Sequence, residues 1–190
     1  MRLALLASPV LLVAALAGCS NSSSPDATGA VALELTTPPG GAGCPDDGPE
    51  SVPPPPNPPV TETAHTSLLT GGSLIGATPC YVAGSASAGY SAYAELSENE
   101  SDVSVTISNV LPTATLEAGG TGSMSVASPS ATQGFGGECS FYFASSGSEK
   151  VAPGMIWVDF TCASVSDGSG DSCGVTNGVL YLDNCNTSSD

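Results

Sequence analysis

Apolar and polar residues alternate along much of the second half of the chain. The segment from Asp102 to Asn109 reads DVSVTISN, and the same alternation recurs in GSMSVA, CSFYF and MIWVDFTC. A period of two is typical of β-strands that have one buried face. Gly and Ser clusters separate these segments at short intervals. The pattern predicts an all-β fold, an antiparallel β-sandwich or barrel of about seven or eight strands.

Helical periodicity is absent from the rest of this region. Only YSAYAEL, from Tyr90 to Leu96, fits a short helix, and its spacing fits a strand as well. Residues 65–190 are long enough for one hydrophobic core and too short for two. We therefore expect a single β domain over residues 65–190.

The chain begins with an apolar segment that one positive charge precedes. Arg2 is followed by a run rich in Leu, Ala and Val, which ends in small residues at position 18. This order is typical of a secretory signal, and the segment is short for a membrane-spanning helix. We assign residues 1–18 to a signal peptide that is removed on export.

The end of that segment, Leu16-Ala17-Gly18-Cys19, resembles the lipobox of bacterial lipoproteins. The resemblance implies that Cys19 becomes the first residue of the mature chain and carries diacylglycerol, with a further acyl group such as palmitate on its amino group. Two or more acyl chains hold a protein stably at a membrane. In that family an aspartate after the cysteine favours the inner membrane, and Ser20 stands there instead, which favours the outer membrane. The alternative is an ordinary secretory signal with an incidental Cys19.

Pro, Gly, Ser and Thr dominate residues 19–64. Such a composition buries too little surface to offset the entropy cost of ordering the chain. The proline-rich run at 53–59 is expected to adopt polyproline II and to act as a stiff spacer. The sequence therefore predicts a disordered, lipid-anchored tether over residues 19–64 in front of the β domain.

Six cysteines remain once Cys19 is assigned to the lipid: Cys44, Cys80, Cys139, Cys162, Cys173 and Cys185. An even number of cysteines in an exported chain indicates disulfides, here three. No two of them have CxxC spacing, and the single histidine, His65, precedes most of them in the sequence. Metal ligation by these thiols is therefore not favoured.

One disulfide follows from strand register. If Cys139 opposes Cys162 in an antiparallel pair, Phe141 opposes Phe160, and all four side chains lie on one face. Directly opposed residues in antiparallel strands approach closely enough for a disulfide. We predict the pair Cys139–Cys162.

A second hairpin is indicated by the Asn-Gly pair at 177–178, because these residues supply the positive φ angles of a type I′ turn. Cys173 and Cys185 flank this hairpin and can close it. Cys44 then pairs with Cys80, although an exchange of partners among these four cysteines stays open.

The C-terminal pattern, C-x-F-x-F, then P-G-x-I-x-V-x-F-x-C, then C-G-V-x-N-G-V-L-Y-L, is loosely similar to small cysteine-containing β domains of uncharacterised bacterial surface lipoproteins. The resemblance implies a fold and a location in the cell envelope. It implies no activity, because a fold does not fix a function.

The net charge of the chain indicates which classes of partner it can bind. Without the signal peptide, Lys150 is the only Lys or Arg against 18 Asp plus Glu, a net charge of about −17. Nucleic-acid binding needs Lys and Arg to displace counterions, so this class of partner is excluded. An anionic membrane surface also repels the domain, and the acidity otherwise serves solubility.

A glycine-rich acidic loop is the candidate metal site. In DGSGD, the oxygen-bearing residues Asp167, Ser169 and Asp171 stand at alternate positions, as they do in calcium loops. The loop departs from the EF-hand pattern, because Gly178 stands where the bidentate glutamate is expected. Calcium is the only cofactor that the sequence suggests. A second acidic group comprises Glu95, Glu98, Glu100 and Asp102.

The acid–base residues offer little for catalysis. Nucleophilic catalysis needs a base within hydrogen-bond reach, whereas His65 lies at the tether boundary and Lys150 in a hairpin loop. Asp159, next to the outward Trp157, is the least ordinary carboxylate, and a carboxylate pair can hydrolyse glycosides. Trp157 with Tyr142 can equally form an aromatic platform for a sugar or a partner, or pack under a loop. We expect that the protein is not an enzyme.

Together these features predict an exported protein of the cell envelope, lipid-anchored to the outer membrane, with a structural or binding role. The expected partner, besides the membrane, is an envelope or extracellular protein or a glycan. The first alternative is a calcium-dependent ligand-binding or adhesion module. The second is a carboxylate-based hydrolase.

Overall fold

A computed structural model describes residues 26–38, 44, 48–52, 74–98, 101–127, 134–143, 150–168 and 170–188. The predicted signal peptide, Cys19 and the proline-rich run at 53–59 lie outside the described residues. Among these described residues the fold is all-β, with 0% helix and 75% strand. Within the described ranges, no helix is long and apolar enough to cross a membrane.

The described residues form ten strands. In chain order these are β1 (Thr28–Thr36), β2 (Gly48–Val52), β3 (Ile75–Ser85), β4 (Gly89–Glu98), β5 (Ser101–Val110), β6 (Gly120–Ala127), β7 (Phe135–Tyr142), β8 (Lys150–Ala152), β9 (Met155–Ser166) and β10 (Ser172–Asp183).

Eight of these strands close into an antiparallel barrel, in the order β10-β1-β3-β4-β5-β6-β7-β9. Pairing of β9 with β10 completes the ring. The two short strands lie outside the ring: β2 pairs with β1, and β8 pairs with β9. Closure decides between the two predicted architectures in favour of the barrel.

Strand β1 lies inside the region predicted to be a disordered tether. Val31, Leu33 and Leu35 point into the barrel and are fully buried, and β1 pairs with β10 along its length. The boundary at residue 65 and the assignment of all of 19–64 to a tether are therefore wrong. The segment AVALEL is a short, almost continuous apolar run with Glu34 as its one polar residue, and the Pro- and Gly-rich composition around it led to the wrong assignment.

The barrel interior is filled by the apolar side chains that the alternation predicts. In β5, Val103, Val105 and Ile107 are buried in the main core. Phe141 opposes Phe160 across β7 and β9, as predicted, and their ring centroids are 5.5 Å apart. Each fully buried side chain of this size contributes roughly 1.5–3 kcal/mol of transfer free energy.

The segment YSAYAEL, whose spacing fits both a helix and a strand, is part of β4. Its alternate residues Ala92, Ala94 and Leu96 are buried in the core. The pairing of β4 with β3 on one side and with β5 on the other satisfies its backbone groups.

Three disulfides link the barrel. The predicted pair Cys139–Cys162 is confirmed, with a Cα–Cα distance of 4.2 Å. The other two predicted pairs are wrong: Cys44 is bonded to Cys173, and Cys80 to Cys185. The four cysteines have therefore exchanged partners relative to the predicted pairs, an alternative that the sequence left open.

The geometry of β10 explains the exchange. Cys173 lies at the start of this continuous strand and Cys185 lies just past its end, so they are roughly 40 Å apart and cannot bond. The start of β10 lies beside the end of β1, where the Cys44 N–H donates to Thr37 Oγ1 at 3.1 Å. At the other end, the Asn186 N–H donates to the Cys80 carbonyl at 3.0 Å and brings Cys185 alongside.

The Asn-Gly pair at 177–178 forms no hairpin turn, which corrects the prediction. It is a β-bulge within β10, marked by register shifts against both β1 and β9. Asn177 does adopt a positive φ of 51°, and its amide donates to Glu34 Oε2 at 3.0 Å. Packing explains why position 178 is a glycine, because a Cβ there would lie 2.6 Å from the Phe160 ring.

Candidate functional site

An open cavity of about 490 Å³ lies on the outer side of the barrel where β4, β5, β6 and β7 run side by side. It is lined by residues 95–97, 102–104, 125–127 and 134–136. We call it the β4–β7 cavity. Because each of the four strands contributes one short segment to the described lining, the cavity depends on the barrel register.

One row of opposed residues crosses the cavity. Glu95 on β4 opposes Ser104 on β5, Ser104 opposes Ser125 on β6, and Ser125 opposes Gly136 on β7. Opposed residues in antiparallel strands share a face, so these positions line one surface. The Ser104 and Ser125 hydroxyls are 2.9 Å apart and share a hydrogen bond. One row further along, the Ser97 hydroxyl donates to Asp102.

Gly136 lines the cavity without a side chain of its own. A Cβ built at Gly136 would make ordinary contacts, the nearest at 3.4 Å from Ser125 Cβ, so packing does not require a glycine here. Gly122 on β6 differs, because a Cβ there would lie 2.1 Å from the Thr106 carbonyl oxygen. Gly136 therefore leaves space on the cavity face that a larger side chain could occupy without a backbone clash.

A pair of tyrosines adjoins the cavity. Tyr81 on β3 opposes Tyr93 on β4, and their half-buried rings stack with centroids 6.1 Å apart and an interplanar angle of 29°. The Tyr93 hydroxyl donates to Glu95 Oε1. This hydrogen bond, followed by burial and the nearby carboxylate charge, raises the pKa of Tyr93. The hydrogen bond links the tyrosine pair to the row of polar residues in the cavity.

A second aromatic pair lies on the outer face of β9 and β10. Trp157 opposes Tyr181, and the rings meet edge to face with centroids 6.4 Å apart. The Tyr181 hydroxyl donates to Asp183 Oδ2 at 3.2 Å. Trp157 and Tyr142 are both half-buried, so the predicted platform of these two side chains is only partly exposed.

Asp159 occupies the outward position that its strand predicts, yet it is only 6% exposed. It opposes Tyr142 on β7 and Val179 on β10. Among the residues that the structure describes, it is the one buried charged side chain. The hypothesis that it belongs to a hydrolytic carboxylate pair gains no support from its opposed neighbours, an aromatic ring and an aliphatic chain.

The predicted calcium loop connects β9 to β10. Ser169 lies outside the described residues, whereas the Asp167 N–H donates to the Asp171 carbonyl at 3.4 Å and closes the loop. Gly168 and Gly170 have φ values of 79° and 121°, which explains the glycines by backbone conformation. In the part of the chain that the structure describes, no group of three His, Cys, Asp or Glu side chains is placed to hold a metal. Calcium binding stays a prediction.

Two members of the second acidic group lie at the cavity described above. Glu95 and Asp102 from this group line the β4–β7 cavity. Sequence reasoning found these two carboxylates and missed Tyr93, Ser125 and Gly136. Tyr93 and Glu95 are two apart in one strand, so they share a face, and that spacing was a usable signal. Ser125 and Gly136 join them only through the order of strands in the barrel.

No protein-family model, curated protein or solved structure matches this chain.

Proposed function

We propose that the chain is an exported lipoprotein of the cell envelope, anchored through Cys19, whose β-barrel has a binding role. The observation that carries the proposal is the set of three disulfides, since structural disulfides persist in oxidising compartments outside the cytoplasm. The signal-like segment at 1–18 and the lipobox-like Leu16-Ala17-Gly18-Cys19 agree with that location. The outer membrane is the membrane that we propose for the anchor.

The binding role is supported by the difference in polarity between the barrel interior and the β4–β7 cavity. Its interior is packed with apolar side chains, whereas the β4–β7 cavity opens outward and carries carboxylates and hydroxyls. Among the described residues that line this cavity, the polar ones are Glu, Asp and Ser, and we propose that they serve as hydrogen-bonding partners for a ligand.

Fatty-acid labelling tests the anchor. The full chain is expressed in a bacterial host fed an alkyne-tagged palmitate, beside Cys19→Ala and the matched control Ser20→Ala. We expect label and membrane sedimentation for the wild-type chain and for Ser20→Ala, because only the thiol is alkylated. Cys19→Ala is expected to lose both.

An unlabelled wild-type chain contradicts the lipoprotein proposal, as does a Cys19→Ala chain that keeps its label. If the wild-type chain is exported and oxidised yet unlabelled, the ordinary secretory alternative replaces the anchor and leaves the binding role in place.

A further inference from the structure

We propose that the β4–β7 cavity, together with the stacked Tyr81–Tyr93 pair, binds a neutral oligosaccharide. The inference rests on the proposed binding role and names the class of ligand. It concerns a surface made of four barrel strands and the adjoining tyrosines, none of which belongs to the predicted tether or to the calcium loop.

The tyrosine pair supplies the apolar contact. Tyr81 and Tyr93 are half-buried and stacked on the outer surface, so part of each aromatic ring meets solvent. Aromatic rings offer rigid apolar area, and the C–H groups on one face of a pyranose ring pack against such area. The hydrogen bond from Tyr93 to Glu95 restrains the ring, so little side-chain entropy is lost when a sugar stacks there.

The cavity supplies the polar contacts. Glu95 accepts from Tyr93 through Oε1, and an ionised carboxylate has lone pairs left for further donors. In the Ser104–Ser125 pair one hydroxyl donates to the other, which leaves the second hydrogen available. The surface therefore offers several acceptors and a hydroxyl donor close together. A ligand with many hydroxyl groups matches that mixture.

Charge narrows the class of sugar. Glu95 and Asp102 both line the cavity, and Lys150 is the only Lys or Arg after the signal-like segment. Uronic acids, sulfated sugars and phosphorylated sugars are repelled by the two carboxylates and by the field of the whole acidic chain. A neutral glycan avoids that cost and still uses the carboxylates as hydrogen-bond acceptors.

Shape agrees with an extended chain of sugars. The volume of 490 Å³ falls within the roughly 300–1,000 Å³ of small-molecule sites. The cavity is open to solvent, and a segment of a longer polymer needs such an opening. The space above Gly136 lets a sugar ring approach the backbone of β7, and packing gives no other reason for a glycine at that position.

Two substitutions test the site on a chain of residues 20–190, which contains every described residue. Gly136→Thr fills the cavity, and Gly76→Thr is its matched control, because a Cβ at Gly76 meets nothing within 4 Å. Tyr93→Ala removes the stacking ring. Maltohexaose, cellohexaose and the N-acetylglucosamine hexamer are titrated by calorimetry, with heparin as the anionic comparison.

We expect saturable binding of at least one neutral hexasaccharide and none of heparin. The affinity should fall at least tenfold in Gly136→Thr and in Tyr93→Ala and stay unchanged in Gly76→Thr. Melting temperatures and free-thiol assays report whether each variant folds. If Gly136→Thr is unstable, Tyr93→Ala decides, because its side chain is half-buried at the surface.

The proposal is overturned if none of the three hexasaccharides binds, or if Tyr93→Ala binds as tightly as the wild-type chain. Binding of a tri-lysine peptide in place of the sugars would also overturn it and assign the acidic cavity to cationic partners. The chain lacks Cys19, so failure here leaves the lipid anchor untouched, and failure of fatty-acid labelling leaves the sugar site untouched.

Discussion

Tyr181, on the outer surface of the barrel, makes the stability of the fold depend on pH. Burial, followed by the charge of Asp183 and the hydrogen bond to it, raises the pKa of Tyr181. A folded-state pKa above the unfolded value means that the folded chain favours the protonated phenol. The stability from this group is therefore complete below the unfolded pKa and is lost as the pH rises through the folded pKa.

We predict that Asp183→Asn lowers the pKa of Tyr181 towards its ordinary value. The neutral amide removes the carboxylate charge that disfavours the phenolate, while burial continues to act. The phenolate absorbance is followed during an alkaline titration, with Tyr181→Phe identifying the contribution of this residue. An unchanged titration in Asp183→Asn would show that burial alone raises the pKa.

Individual residues also show where sequence reasoning succeeds. Val103, Val105 and Ile107 were expected to face the core because alternation fixes the face of every residue in a strand. Gly178 was assigned to a turn, whereas its absent side chain makes room for the Phe160 ring. A contact between two different strands leaves no trace in the local pattern.

The bulge in β10 is the main departure at the scale of single elements. Asn-Gly favours positive φ in a hairpin turn and in a bulge alike, so the local signal does not distinguish them. What decides is that β10 has a partner on each side, β1 and β9, along most of its length. A turn at Asn177 would have broken both ladders.

Asn177 tests the backbone strain of that bulge. Asn177→Ala and Asn177→Gly both remove the amide that donates to Glu34 Oε2. Only alanine has a Cβ that opposes the positive φ of 51°. We expect Asn177→Ala to lower the free energy of unfolding by about 1 kcal/mol more than Asn177→Gly. Urea unfolding measures the difference, and equal losses would show that the side-chain hydrogen bond is the whole effect.

The missed strand β1 has a similar cause. Its alternating apolar residues Val31, Leu33 and Leu35 were visible, but its neighbours in the sequence are rich in Gly, Ser and Pro. Its stability comes from pairing with β10, which is almost 150 residues away along the chain. Composition near a strand carries no information about such a distant partner.

At the scale of the whole molecule, closure of the barrel determines what the sequence could not supply. Pairing of the first strand with the last distinguishes a barrel from a sandwich, and it places Cys44 beside Cys173. Only the Cys139–Cys162 pair followed from local register, because both cysteines lie on adjacent strands. The β4–β7 cavity is likewise assembled across four strands, so sequence indicated Glu95 and Asp102 without the surface around them.

We predict that replacing Cys44 and Cys173 together by alanine lowers the free energy of unfolding by about 3–5 kcal/mol, because the bond closes a long loop. The two cysteines are 129 positions apart. Denaturant unfolding of the oxidised variant measures the loss, with Ser20→Ala as the neutral control. A loss under about 1 kcal/mol would contradict the structural role. Peptide mapping under non-reducing conditions checks the three pairings.

The closure of the barrel by its first and last strands also sets the order of events when the chain is made. β1 leaves the ribosome first, and β10, its partner, emerges last. Cys80 follows Cys44 long before Cys173 appears, so oxidation in order of synthesis joins Cys44 to Cys80 and leaves two native bonds unmade. For a chain oxidised in that order, we expect maturation to need thiol–disulfide exchange after synthesis is complete, and we expect a cell without isomerase activity to accumulate a mispaired chain.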